Sequence, residues 1–376
     1  MAGTLHEKGL SLKHILLIGN GHSHLEVLKK LSQKETSTNQ YTLISPEPIS
    51  YYSGLLPRLI MGDILVDSLI IQSAQYAVSK GVKFINDRLV SFNPEDKVAN
   101  FASGLALNFD ILSIDVGGKP KKIDSEDPFN TVYIKPISEF VLQWHEIQRL
   151  CSHGQNPSFV VVGGGPVAVE VATALKIRLN RNKALKAQVH VVTDADRICQ
   201  QYSEKISQQI LKSLQKISIR VHLNEKISKV FPKYLLLKTA EKITFDKVFI
   251  ALPNDRPDFT KNPVNRKLLL EKNIFAVGDC AQMKDYPNLP KSGVIAVYQG
   301  RHLAKNLRKL IQDEDLIDYH PSKHQMNILI SSQYGARLVR GPITFEGRLA
   351  RQLKNYIDLK YMQQFTTSNL KNHRCD

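Results

Sequence analysis

The 376-residue chain exceeds the usual size of one domain and calls for two, or for one with additions. Its composition, 42% hydrophobic and 23% charged without low-complexity tracts, excludes a disordered or fibrous protein, and no run approaches the ~20 apolar residues of a membrane span. A formal net charge of +16 favours anionic partners, whether nucleotides, an acidic membrane surface or nucleic acid, without choosing among them.

In chain order, the opening MAGTLHEKGLSLK has no apolar signal core, so a cytoplasmic protein is expected, at most peripheral to the inner face of a membrane. Next comes HILLIG (14–19), short and apolar like a buried parallel strand, then SHLEVLKKL, whose Leu25, Leu28 and Leu31 share one helical face. Between them lies the turn Gly19-Asn20-Gly21. In a Rossmann crossover Gly19 permits the tight bend, and Gly21 lets the backbone approach a pyrophosphate at the helix N-terminus. His24 replaces the third glycine of that fingerprint, so the helix is expected to stand slightly further from the strand. The strand QYTLIS then ends in SPEP, with Ser45 in the usual ribose position and Glu47 the nearest carboxylate.

A second copy follows. SFVVVGGGPVAVEVATAL runs strand, Gly163-Gly164-Gly165 and helix, with Ala168 at the third glycine position, and AQVHVVTDADRI closes on Thr193-Asp194. Two such units argue for two bound dinucleotides, against the plainer reading of two turns that bind nothing. Cys151, Cys199, Cys280 and Cys375 are scattered, with no metal-ligand spacing, and are read as reduced thiols. His22 and His24 diverge at a helix start and lack a third ligand, so no metal site is expected.

The stretch EKNIFAVGDCAQMKDYPNLPKSGVIAVYQGRHLAKNL resembles the second flavin fingerprint of the two-dinucleotide-binding-domain flavoproteins, the pyridine nucleotide-disulfide oxidoreductase superfamily. FDILSIDVGGKP resembles its linking strand, and FDKVFIALPNDRP a strand of its nicotinamide half, with Leu252-Pro253 in place of Thr-Gly. SPEPISYYSGLLPRLIMGD, YIKPISEF and GRLARQLKNYIDLKYMQQF are similar to type II NADH dehydrogenase-like members, most of all to the branch often fused to selenophosphate synthetase. The resemblance implies an α/β fold of two Rossmann-like nucleotide-binding domains and a C-terminal α+β segment. The FAD domain would take residues 1–126 and 258–320, the NAD(P)H domain 127–257 and the C-terminal segment 321–376.

It further implies FAD contacts from Gly19, Gly21, His22, Ser23, Ser45, Glu47, Tyr52, Ser53, Gly54, Val90, Gly117, Gly118, Gly278, Asp279 and Pro290. The nicotinamide nucleotide would meet Gly163, Gly165, Pro166, Thr193 and Asp194; Asp194 favours NADH, and Arg197 nearby suits NADPH. Glu170 matches a carboxylate placed near nicotinamide and flavin, or else is an acid complementing the helix dipole. Lys135 and Lys291 match cations that would stabilise an anionic reduced flavin, or are solvated lysines. Tyr51 and Tyr52 stack on the isoalloxazine or pack in the core. Cys280, at a helix start, reads as a small buried residue, since the paired thiols of disulfide reductases are absent.

The implied reaction is hydride transfer from NAD(P)H to FAD, then electron delivery to a quinone or another small acceptor. Of the glutamines carried by quinone-using members only Gln299 remains, with Val294 and Tyr298 at the matching places. Phe345, Leu349, Leu353, Ile357 and Tyr361 recur at helical spacing among Arg348, Arg351, Lys354 and Lys360. Such a helix lies on an anionic membrane, packs on its own FAD domain, or joins a second subunit in a homodimer. The rival readings are a flavin-binding redox sensor and a sulfide:quinone oxidoreductase. Nucleic-acid binding ranks low, because no recognition motif accompanies the charge.

Overall fold

The computed structural model describes residues 12–153, 156–182, 186–322 and 324–366. Most of the N-terminal leader and Cys375 lie outside the described residues.

The elements that position the site follow in chain order. The first body begins with β1 (His14–Ile18), α1 (His22–Lys30), β2 (Gln40–Ser45), β3 (Lys83–Asn86) and β4 (Ile111–Ile114). A second body holds β5 (Thr131–Tyr133), β6 (Ser158–Val162), α2 (Pro166–Leu179), β7 (Gln188–Val192), β8 (Ile219–His222) and β9 (Lys247–Ile250). The chain then returns with β10 (Leu269–Glu271), β11 (Ile274–Ala276) and α3 (Gly293–Ile311). It finishes with β12 (Met326–Ile330), β13 (Ala336–Arg340), β14 (Ile343–Gly347) and α4 (Arg348–Gln363).

Two sheets follow from this order. The first runs β10-β11-β4-β1-β2-β3, parallel except for β10, and the second runs β5-β9-β6-β7-β8, parallel throughout. Their central strands are uninterrupted apolar runs because both faces are covered; Ile15, Leu16, Leu17, Phe159, Val160 and Val161 are fully buried. In each sheet the first βα turn lies at a carboxyl edge where strand order reverses, the place where doubly wound sheets bind ligands.

Helix α1 crosses α3 at very close range. Gly300 makes that possible, since a Cβ there would lie 2.6 Å from the Cα of Ser23 and 2.9 Å from the Cβ of Glu26. Strands β12, β13 and β14 form a small antiparallel sheet against which α4 packs. The expected helical stripe from Phe345 onward starts later than its spacing suggested, because Phe345 belongs to β14.

Candidate active site

The first turn is organised by polar groups from four segments. Gly19 has φ +90° and abuts the Asp115 main chain. The Asn20 amide donates to the carbonyls of Glu47 (2.9 Å) and Ile49 (2.8 Å), tying the turn to the loop after β2. Ser45 is buried at the end of β2, and its hydroxyl accepts from the Glu47 N–H at 3.4 Å.

His24 does not simply hold the helix away. Its buried ring joins helix to strands, with Nδ1 2.6 Å from the Gly19 carbonyl and Nε2 2.8 Å from Ser113 Oγ. Burial pushes its pKa down to about 4, so the ring is neutral. His22 sits beside Tyr52 and Tyr361, at ring separations of 5.7 and 6.1 Å, and its pKa also falls to about 4, chiefly through burial. Its Nε2 and the Ser23 hydroxyl are buried without partners.

Asp279 and the two lysines come together. Lys135 Nζ lies 2.6 Å from the Asp279 carboxylate, and Lys291 donates to the Asp279 carbonyl. Burial opposes the Asp279 charge, yet the ammonium groups of Lys135 and Lys291 hold its pKa below the usual carboxylate range. Gly278 (φ +68°) donates its N–H to Gln299 at 2.8 Å, so this glutamine supports the flavin motif's own backbone. Val294 and Tyr298 are exposed on α3. Pro290 lines a small cavity beside Gly278, Asp279 and Lys291.

Around the second turn lies a cavity of about 600 Å³, lined by Gly163, Gly164, Gly165, Pro166, Thr193 and Asp194, and also by Lys135, Asp279 and Lys291. Gly163 (φ +128°) and Gly164 are packed against Ala251 and Thr193, whereas a Cβ at Gly165 would meet nothing within 4 Å. Arg197 lines the same cavity.

Other expected residues sit elsewhere. Glu170 is absent from the cavity lining; its carboxylate accepts from the Ile330 N–H at 3.0 Å and lies 3.7 Å from Lys354 Nζ, facing the C-terminal segment. Burial raises its pKa, against the opposing pull of Lys354 and the Ile330 N–H. Tyr52 donates to Asp358 at 2.8 Å and stacks on Tyr361 at 4.6 Å; Ser53 and Gly54 follow in the same turn. Val90 is exposed on the strand Leu89–Asn93. A Cβ at Gly117 would meet nothing within 4 Å, while Gly118 abuts Asn254 and Asp255. Cys280 is buried, its thiol directed at the Val277 carbonyl and its pKa pushed up to about 12.

Helix α4 is turned inside out. Arg351, Lys354 and Asp358 are buried, while Leu349, Leu353, Tyr356 and Leu359 are exposed. Of the apolar stripe read from the sequence only Tyr361 faces fully inward. The pattern had the right period, but period does not say which face a helix shows its own body.

A model of the pyridine nucleotide-disulphide oxidoreductase family matches residues 13–300, most of the chain. The chain belongs to that family. Among similar members, the mitochondrial external NADH-ubiquinone oxidoreductase 2 of Saccharomyces cerevisiae is 25% identical over 83% of this chain and 65% of its own length. The chain thus spans less than two thirds of that relative. The type II NADH:quinone oxidoreductase of Haemophilus influenzae is 20% identical over 94% of both chains. The solved NDH2 of Plasmodium falciparum in complex with NADH superposes with a TM-score of 0.78 at 15% identity, covering 94% of this chain and 95% of that one, and so shares the fold.

The residues of this pyridine nucleotide-disulphide oxidoreductase suit two dinucleotides. Among the described residues the N–H groups of Asn20 and Gly21 have no acceptor, and His22 Nε2 and Ser23 Oγ are buried and unpaired beside them. Gly165 opens on free space at the second turn. From sequence alone no site role falls to Asn20, Lys354, Asp358 or Asp115. Of these Asn20 alone carried a local signal, as the residue between two turn glycines.

Proposed function

We propose that the chain is an FAD-dependent NAD(P)H dehydrogenase that passes electrons to a quinone or another small acceptor. One observation carries the reading: the open second turn and Lys135 of the second body line the same cavity as Asp279 and Lys291 of the first. Bound at the first turn, FAD would supply a two-electron centre that takes hydride from the nicotinamide and is reoxidised by the acceptor.

The chain's own groups would do the rest. Asn20 and Gly21 would offer amides to a diphosphate, and Asp279, whose charge Lys135 supports, would accept from a ribityl hydroxyl. Lys135 and Lys291 place positive charge where negative charge would develop on reduction. Thr193 and Asp194, at the end of β7, take the adenosine ribose of the nicotinamide nucleotide, with NADH the favoured form.

The outward apolar face of α4 supports docking on an anionic membrane from the cytoplasmic side, with Arg348 and Lys360 exposed on the same helix. No helix among the described residues is long and apolar enough to cross a membrane. A second copy of the chain is the competing occupant of that face, and vesicle flotation set against sedimentation separates the two. The sulfide:quinone reading gains nothing from the cysteines, since Cys151, Cys199 and Cys280 are all buried.

Anaerobic mixing with NADH and with NADPH tests the proposal. Rapid bleaching of the flavin absorbance, followed by recovery on adding a quinone, is the expected result. A folded protein that stays colourless after incubation with FAD overturns it, and a flavoprotein reduced by neither nucleotide points to the redox-sensor reading.

A further inference from the structure

The strand β4 is followed directly by Asp115, a carboxylic acid that is 4% exposed and set into the first turn from behind. Its Oδ2 accepts from the N–H groups of Ser23 (2.8 Å) and His24 (3.1 Å), both in the first turn of α1. A Cβ at Gly21 would lie 2.5–2.7 Å from the Asp115 carboxyl group, and one at Gly278 would also collide with it. Two glycines of the flavin motifs thus make room for an internal anion, a role for Gly21 that differs from admitting a pyrophosphate.

We propose that Asp115 is a positioning residue for the flavin diphosphate: its carboxyl group occupies the inner amides of α1, leaves those of Asn20 and Gly21 outward, and by its charge governs how tightly the diphosphate is held. The inference rests on the flavin reading given above. An N-terminal helix turn has a limited number of free N–H groups, and an acid that engages two of them fixes where a second anion can lie. A negative charge beside that second anion weakens its binding, and neutralising the acid removes the repulsion.

The surroundings set when this happens. Burial pushes the Asp115 pKa up, the N–H groups of His24 and Ser23 draw it down, and Asp279 adds to the rise, leaving it at about 7. The titratable groups around it are His24 from α1, Asp279 and Cys280 from the turn after β11, and Tyr361 from α4, with His22, Lys135 and Lys291 beyond Asp279. His22 and His24 are already neutral at pH 6, so over pH 6–8 the charge that changes in this group is that of Asp115.

FAD affinity of the apoprotein, measured by equilibrium titration from pH 6 to pH 8 for the parent and Asp115→Asn, tests this without recourse to turnover. The amide keeps an acceptor for Ser23 and His24. The parent should lose about tenfold in affinity across the range, while Asp115→Asn stays flat and holds FAD about tenfold tighter at pH 8. Riboflavin, which has no diphosphate, should show no such dependence in either protein. A parent whose FAD affinity is flat with pH, or a variant with the parent's slope, overturns the proposal; the first of these needs no variant to fold. If neither protein takes up FAD, the flavin reading itself falls, a result distinguishable from uptake without pH dependence.

Discussion

Gly300 and Gly165 provide a matched pair of substitutions that separates a glycine needed by the fold from one needed by the site. At Gly300→Ala the new methyl group would meet the Ser23 backbone, with its Cα at 2.6 Å, and the Glu26 Cβ at 2.9 Å. Ordinary carbon contacts lie near ~3.5–4 Å, so α3 must back away from α1 by roughly 1 Å. Backbone cannot rotate aside as a side chain can, which places the cost near the upper end of the ~1–3 kcal/mol typical of overpacking. With about 2.1 cal/mol/K of unfolding entropy per residue, a chain of 376 residues shifts by only ~1–1.5 °C per kcal/mol, so the thermal midpoint should fall by roughly 3–5 °C. Because the start of α1 carries the first turn, flavin should also be lost more readily. Gly165→Ala adds the same methyl group to open space at an extended backbone (φ −83°, ψ 177°), so its midpoint should stay within ~1–2 °C of the parent. Its affinity for NADH should nonetheless drop, since the methyl group projects into the cavity. Thermal unfolding and NADH titration of both variants decide the matter. A Gly300→Ala protein as stable as the parent, or a Gly165→Ala protein that binds NADH normally, refutes the reasoning.

Replacing Lys135 with Met removes the cation facing Asp279 and should weaken FAD retention by about tenfold, the scale of one charge-assisted hydrogen bond, as read by flavin release on dilution. Asp194→Ala should raise the KM for NADH while leaving that for NADPH nearly unchanged, shifting the kcat/KM ratio toward NADPH. Leu349→Glu with Leu353→Glu should abolish flotation with anionic vesicles at an unchanged thermal midpoint, because both side chains already face outward. His24 has a folded pKa of about 4 against 6.5 in the unfolded chain, so the unfolded state takes up the proton between those values and stability falls as pH drops from about 6.5 to 4. His24→Gln should flatten that part of a denaturation series measured against pH.

Much of the nucleotide architecture was legible in the sequence, because parallel strands buried on both faces leave continuous apolar runs, and tight phosphate turns demand glycine. HILLIG and SFVVVG became β1 and β6 for that reason. What stayed hidden depends on contacts distant in sequence. Asp115 reads as the polar end of a strand, and only the fold brings it beneath Gly21, more than ninety residues earlier. Glu170 reads either as a carboxylate near the nicotinamide or as an acid complementing its helix dipole, and its contacts with Lys354 and the Ile330 amide, some 160 residues and more away, carry no local signal. The period of the α4 leucines was legible but not the face the helix turns inward, since the buried Arg351 and Lys354 meet acids from other segments, Asp63 and Glu170.

The order of strands in the first sheet also bears on how the chain is made. Strand β11 hydrogen-bonds to β4, yet the whole of β5 to β9 is synthesised between them. During elongation the later-starting sheet can therefore close first, from strands that are all local to it, while the earlier one waits with the β4 edge bare until residue 276 has emerged. A nascent chain arrested before β10 would carry that unprotected edge, and chaperone capture should peak at such lengths.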